Sequence, residues 1–446
     1  MDTLPLPPRP DLEQYKKRAK DLVTAAKSRN AGAVRAWATA WLETLARLLG
    51  VTITPFVQGS FDRAIDHLEA KVREKAAATD ATGPKFSLAD AQFLIAQAHG
   101  FENWAEFAGH LERPFGGDPQ GREFEAAVDA VVSGDLQTLE SLAGRHPDLI
   151  RARSARVHRA TLLHYVAANG VEDFRQLTPP NAVAIARFLL ESGAEVDALA
   201  NTYGGGKDQT TMNLLVSSTH PAEAGLQAAL VETLVDFGAA VNGLEDNGSP
   251  LMTALAFGYR DAAEALARRG ARLDNIVAAA ALGRTGLVGT FVVDGRTLNH
   301  GVTFVAPRWW GLPNDAKAHI ELAFVWACKF GRTAVAEVLL EKGVDPAAKD
   351  TDSMTALHWA AASGSMDVVK RLLERGAPLE VENTWGGTVL DSTVYFALHQ
   401  PVAGVNYPAV IETLIGAGAN VAAVGPLPTG NKSIDDLLRR YGAGPG

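Results

Sequence analysis

His164 and His358 are the residues whose type and setting first invite proton chemistry. Each follows a threonine by three positions, in Thr161-Leu162-Leu163-His164 and Thr355-Ala356-Leu357-His358. An imidazole titrates near neutral pH, so it can act as an acid–base group or stay neutral as a hydrogen-bonding brace. The sequence holds no HExxH, no GxSxG and no carboxylate loop of calcium-binding spacing to accompany either one. Tyr203-Gly204-Gly205-Gly206-Lys207 approaches a phosphate-cradling loop. That loop needs glycine where Asn201 stands and Ser or Thr where Asp208 stands, so it fails twice. Arg151, Arg153, Arg156 and Arg159, with His158, form a basic run able to fork around a carboxylate or phosphate, or simply to be exposed loop charge. The lone Cys328 excludes a disulfide framework and a thiolate zinc site, and fits a reducing compartment. No metal and no cofactor is expected.

The elements that position these residues recur. Thr355 begins a unit that runs through His358, Trp359 and Gly364 to Gly376-Ala377. A shift of 33 residues backwards carries Gly364 onto Gly331, Gly376 onto Gly343 and Trp359 onto Trp326; a shift forwards carries Thr355 onto Thr388. Within the unit Thr355 is a good N-cap and Gly364 ends a first short helix. Val368, Val369, Leu372 and Leu373 give a second helix one buried face, and Gly376 suits a left-handed stop. Gly193-Ala194, Gly238-Ala239, Gly270-Ala271 and Gly418-Ala419 repeat that stop. Two such helices cannot enclose a core, so units must stack.

These residues resemble the ankyrin repeat, with its Thr-Pro-Leu-His turn, Ala-Ala pair and Gly-Ala-Asp ending. The likeness is strongest over 355–380, then 161–197, 249–274 and 322–345, and extends to 210–242, 388–420, 123–142 and 276–292. It implies an all-α solenoid of about eight repeats over 121–441, closed by a capping helix at 433–441. It also implies that the turn histidines bond backbone of neighbouring repeats. The two residues before each first-helix glycine would then line a concave groove: Ala168-Asn169, Ser217-Ser218, Ala256-Phe257, Lys329-Phe330, Ala362-Ser363 and Tyr395-Phe396, with Trp385 on a finger loop.

The repeats are interrupted. Thr355 and Gly376 are 21 residues apart, whereas Thr161 to Gly193 spans 32, Thr210 to Gly238 spans 28 and Thr388 to Gly418 spans 30. The excess falls between paired helices at 171–183, 218–228 and 398–408, each stretch with proline. A fourth insertion, 293–317, holds Arg308-Trp309-Trp310, and a long loop bearing paired tryptophans reads as a contact surface or a gap filler.

Ahead of the repeats, residues 1–113 read as a separate helical domain with helices near 11–30, 31–49, 57–78, 87–99 and 104–111, followed by a linker at 114–120. Residues 12–23 and 88–107 resemble a helical segment that precedes ankyrin arrays in many bacterial proteins, which implies a bacterial source and no activity. Lys16, Lys17, Arg18 and Lys20 read as a solvated face.

The 446 residues are 47% hydrophobic, which excludes general disorder. Forty-two basic against 51 acidic side chains argue against nucleic-acid binding as the main task. The start lacks an apolar leader and no long apolar run follows, so a cytoplasmic monomer without a membrane span is expected. Two function classes follow. The first is a non-catalytic binding protein holding a protein segment or small ligand against Asn169, Phe257, Trp309, Trp310, Phe330, Trp385, Tyr395 and Phe396. The second is an enzyme or ligand-processing protein whose insertions wall a pocket, with Tyr165, His220, Asp391, His399 and Tyr407 as acid–base candidates.

Overall fold

The computed structural model describes residues 10–28, 30, 32–49, 55–77, 86–112, 119–172, 175–202, 206–302, 315–425 and 427–442, with Leu4 and Leu6. They form two compact units, Met1–Ala240 and Val241–Gly446.

The first unit opens with helices Leu12–Ala26, Ala33–Leu49, Pro55–Ala77, Leu88–Ala98 and Trp104–Glu112. Asp11 caps the first of them and Ser87 forms a capping box with Asp90 at the fourth. Their apolar faces share a core that includes Tyr15, Trp41, Leu68, Ile95 and Phe107. His99 sits inside it, with the rings of Tyr15, Trp41 and Phe107 within 5.5 Å. Its Nδ1 donates to the Leu4 carbonyl at 2.9 Å. Burial depresses this imidazole to a pKa of about 3, so it is neutral. Three helix pairs complete the unit: Pro119–Ser133 with Leu136–Arg145, Leu162–Val166 with Ala182–Glu191, and Thr211–Leu215 with Gln227–Asp236.

Five pairs make up the second unit. Their first helices are Ser249–Ala256, Ile276–Ala281, Ala316–Lys329, Ala356–Ala362 and Val389–His399, each packed on the next. Their second helices are Arg260–Arg268, Thr285–Phe291, Thr333–Glu341, Met366–Glu374 and Tyr407–Gly416, and Lys432–Arg440 packs on the last. The chain is thus mostly helical, with short helix pairs recurring in both units. A short hairpin, Val292–Asp294 with Thr297–Leu298, interrupts the helices where the sequence reading placed only an insertion. Gly295-Arg296 forms its two-residue turn. A side chain at Gly295 would collide with the Gly343 backbone.

The local devices are shared. The Thr355 hydroxyl caps its helix, and His358 Nδ1 accepts the Thr355 N–H at 3.1 Å. The proton therefore sits on Nε2, which donates to the Gly387 carbonyl of the following repeat at 3.3 Å. Thr161, His164 and the Gln209 carbonyl reproduce this arrangement. Both histidines are braces, neutral because burial depresses them to about 4. At the helix ends, Gly376 has φ +76°, with Gly376 N–H bonded to Leu373 O and Ala377 N–H to Leu372 O, a Schellman stop repeated at Gly418-Ala419.

Candidate functional site

Within the second unit, aromatic and cationic side chains collect where the first helices end. Lys329 closes the Ala316–Lys329 helix, and its Nζ lies 4.2 Å above the Trp359 ring and 5.8 Å from that of Trp326. Trp359 tilts against Phe396 at 5.8 Å; Phe396 meets Tyr395 edge-on at 5.9 Å; and Tyr395 meets His399 at 4.7 Å. Successive helices therefore contribute to one ladder: Lys329, Trp359, Phe396, Tyr395, His399. Trp359 is oriented from beneath, since its Nε1 donates to Asp350 at 2.6 Å. The other Asp350 oxygen accepts the Asp352 and Met354 N–H groups at 3.0 and 2.9 Å, so this carboxylate shapes its own finger loop. Trp385, 74% exposed, stands on the next finger, which bonds to the previous one through Thr384 N–H and Asp352 O. Tyr395 is 51% exposed.

At the other end of the ladder Arg260 lies 5.2 Å above the Phe330 ring and donates to the Lys329 carbonyl at 3.1 Å. Phe330, expected on the surface, is for this reason only 3% exposed. Phe257 is 50% exposed and stacks on Tyr259 at 5.9 Å. Burial lowers the Lys329 ammonium below the usual lysine range, while Asp350 and Asp352 oppose the shift. Arg260 shifts the same way, through burial and then Arg332. Trp309 and Trp310 lie outside the described residues.

The remaining candidates are divided between the two units. Asn169 donates to Leu214 O and to Ser217 Oγ at 2.9 Å, tying neighbouring repeats together. Tyr165 is fully buried. His220 is exposed on the short Thr219–Glu223 helix. In the second unit Tyr407 donates its hydroxyl proton to Ala362 O at 2.9 Å and accepts the Val402 N–H. Asp391 accepts the Gly425 N–H at 3.4 Å, and His399 belongs to the ladder.

The basic run divides: Arg151, Arg153 and Arg159 are exposed loop charges, whereas Arg156 and His158 are buried. Arg151 and Arg153 bond the Gly193 and Leu199 carbonyls. Arg156 and His158 turn inward onto Glu172, which is fully buried: Arg156 Nε lies 2.8 Å and His158 Nε2 2.9 Å from its Oε1. Arg175 pairs with Glu125 at 2.6 Å and Asp129 at 2.7 Å. Burial alone would raise the Glu172 carboxyl; Arg156, His158 and Arg175 outweigh it and hold the group well below the usual carboxylate range. Glu172 and Arg175 come from the insertion 171–183, so this insertion is stapled into its repeats. The 218–228 stretch is bound likewise: Ser218 Oγ donates to Ala168 O, and Gln227 bonds Leu215 O and Ser218 O.

Among known protein families, the one described as "Ankyrin repeats (many copies)" matches residues 324–373, the segment that bears Lys329 and Trp359. Serine/threonine-protein kinase 12 of Arabidopsis thaliana is 38% identical over 58 residues, 13% of either chain. Palmitoyltransferase Hip14 of Drosophila melanogaster is 30% identical over 96 residues, 22% of this chain and 14% of that one. The mitochondrial liver isoform of glutaminase from Rattus norvegicus is 38% identical over 101 residues, 22% and 16%. The chain therefore spans under a fifth of each of these relatives. The human ASB11 ankyrin repeat domain aligns with 68% of this chain and 99% of its own, at 21% identity and a TM-score of 0.32. Among the described residues no helix is long and apolar enough to cross a membrane.

Proposed function

Because the chain is an ankyrin-repeat protein, we propose that it is a non-catalytic binding protein and that the ladder of the second unit is its docking face for a protein segment. Ankyrin repeats are modules that bind proteins, and a stack of this kind presents side chains from many turns at once. The observation that carries the reading is the continuous run from Lys329 through Trp359 and Phe396 to Tyr395 and His399, with Trp385 beside it on a finger. Large aromatic rings with polar edges are the side chains that dominate binding energy at protein interfaces. The Tyr407 hydroxyl, spent on Ala362 O and the Val402 N–H, and the full burial of Tyr165 support binding over catalysis. A cytoplasmic monomer with residues 1–113 as a distinct helical domain belongs to the same proposal.

Site-directed photo-crosslinking tests it. A benzoylphenylalanine at Tyr395 should form an adduct with a partner protein in extract of the source cells, whereas the same residue at the exposed outer-helix position Glu374 should not. Equal labelling from both positions, or labelling from Glu374 alone, would overturn the assignment.

A further inference from the structure

Two cations on this face are held by rings instead of carboxylates. Among the described residues no acidic oxygen lies within 4.0 Å of Lys329 Nζ, whose close neighbours are the Trp359 and Trp326 rings. Of the two carboxylates that act on Lys329, Asp350 and Asp352, the first is engaged by two backbone N–H groups and the Trp359 indole, so its lone pairs point into its own loop. Arg260 covers Phe330 and donates to a main-chain carbonyl. A ring face attracts a cation without neutralising it. Arg260 is exposed and Lys329 half-buried, and neither makes an ion pair among the described residues, so both stay accessible to an incoming anion.

Resting on the docking-face reading, we propose that the partner segment is an acidic linear peptide whose carboxylate lies between Lys329 and Arg260, and whose adjacent apolar side chain packs on Trp359, Tyr395 and Trp385. The order of groups supplies the register: cations at one end of the ladder, exposed aromatic rings at the other. Asp352, on the finger beside Lys329, disfavours further acidic residues on that side, so the negative charge of the segment is confined to the side of Arg260. Complementary charge sets orientation and partner choice more than affinity, which the aromatic contacts provide.

Selection with the full chain tests this against a random dodecapeptide display library. Recovered peptides should be enriched in Asp or Glu beside an aromatic or aliphatic residue. Binding of a recovered peptide should fall at least tenfold when its acid is replaced by the amide, and a Lys329→Gln/Arg260→Gln variant should lose the preference while its thermal midpoint stays close to that of the parent. Enrichment of neutral or basic peptides that still depend on Tyr395 would overturn the acidic-partner inference and leave the docking face standing. Recovered peptides indifferent to Tyr395→Ala, or no enrichment at all, would overturn both. An acidic preference that survives the double substitution would place the anion elsewhere and refute the register given to Lys329 and Arg260.

Discussion

Replacing Glu172 by glutamine should destabilise the first unit more than any other single isosteric change in it. The carboxylate is fully buried, within 3 Å of both Arg156 Nε and His158 Nε2, and close to the Arg175–Glu125–Asp129 group. With His158 Nδ1 accepting the Ala160 N–H at 3.0 Å, its Nε2 donates to Glu172. Glutamine preserves the shape but removes the charge 2.8 Å from Arg156 Nε, leaving this buried guanidinium only the more distant Glu125 carboxylate at 3.6 Å. Breaking a buried pair in this manner costs about 3–5 kcal/mol. In a unit of this size that is a fall in thermal midpoint of roughly 10 °C. Hydrogen-exchange mass spectrometry at pH 7 should show the loss over 119–191 and spare 249–416. The folded carboxyl titrates below its unfolded value of about 4.3, so its contribution is full above that pH and disappears as pH falls beneath it. E172Q should accordingly lose less stability on acidification than the parent does. A further change, Arg156→Gln in the E172Q background, should recover part of the deficit. A single E172Q variant within about 1 kcal/mol of the parent, with unchanged exchange over 119–191, would refute the reading of this cluster as a staple.

The remaining expectations are local. Gly364 has φ +68° and a Cβ there would collide with Val405, so Gly364→Ala should cost at least about 1 kcal/mol in denaturant unfolding. Tyr407→Phe removes the donor to Ala362 O and the acceptor of Val402 N–H, and should cost about 1–3 kcal/mol, read the same way. His164 and His358, depressed to about 4 against an unfolded value near 6.5, give stability that is complete above pH 6.5 and lost as pH falls towards 4. Denaturation midpoints at pH 7 and pH 5 should differ, and His358→Gln should narrow the difference.

The period of 33 made the helix pairs legible because capping and stopping are local chemistry. Thr355 reaches only to His358, and Gly376 only to Leu373, so type and spacing suffice. Contacts between distant residues were less visible. Arg156 finds Glu172 and Glu125 across 16 and 31 residues, and no local feature distinguishes it from Arg151, which bonds a carbonyl. Tyr395, Phe396 and Trp385 were readable as surface candidates from their places in the repeat. Phe330 was not, because Arg260, from another repeat, covers it. The ladder's anchor, the Trp359–Asp350 bond, joins a helix to the preceding finger, a pairing that periodicity leaves open.

The docking face is tested most directly by the dissociation constant of a selected dodecapeptide for the full chain and for Tyr395→Ala, with Leu177→Ala, an exposed apolar residue of the first unit, as control. Truncating a ring at an interface centre costs more than about 1.4 kcal/mol, so Tyr395→Ala should weaken binding at least tenfold while Leu177→Ala leaves it unchanged. Equal constants for the parent and Tyr395→Ala would contradict the account.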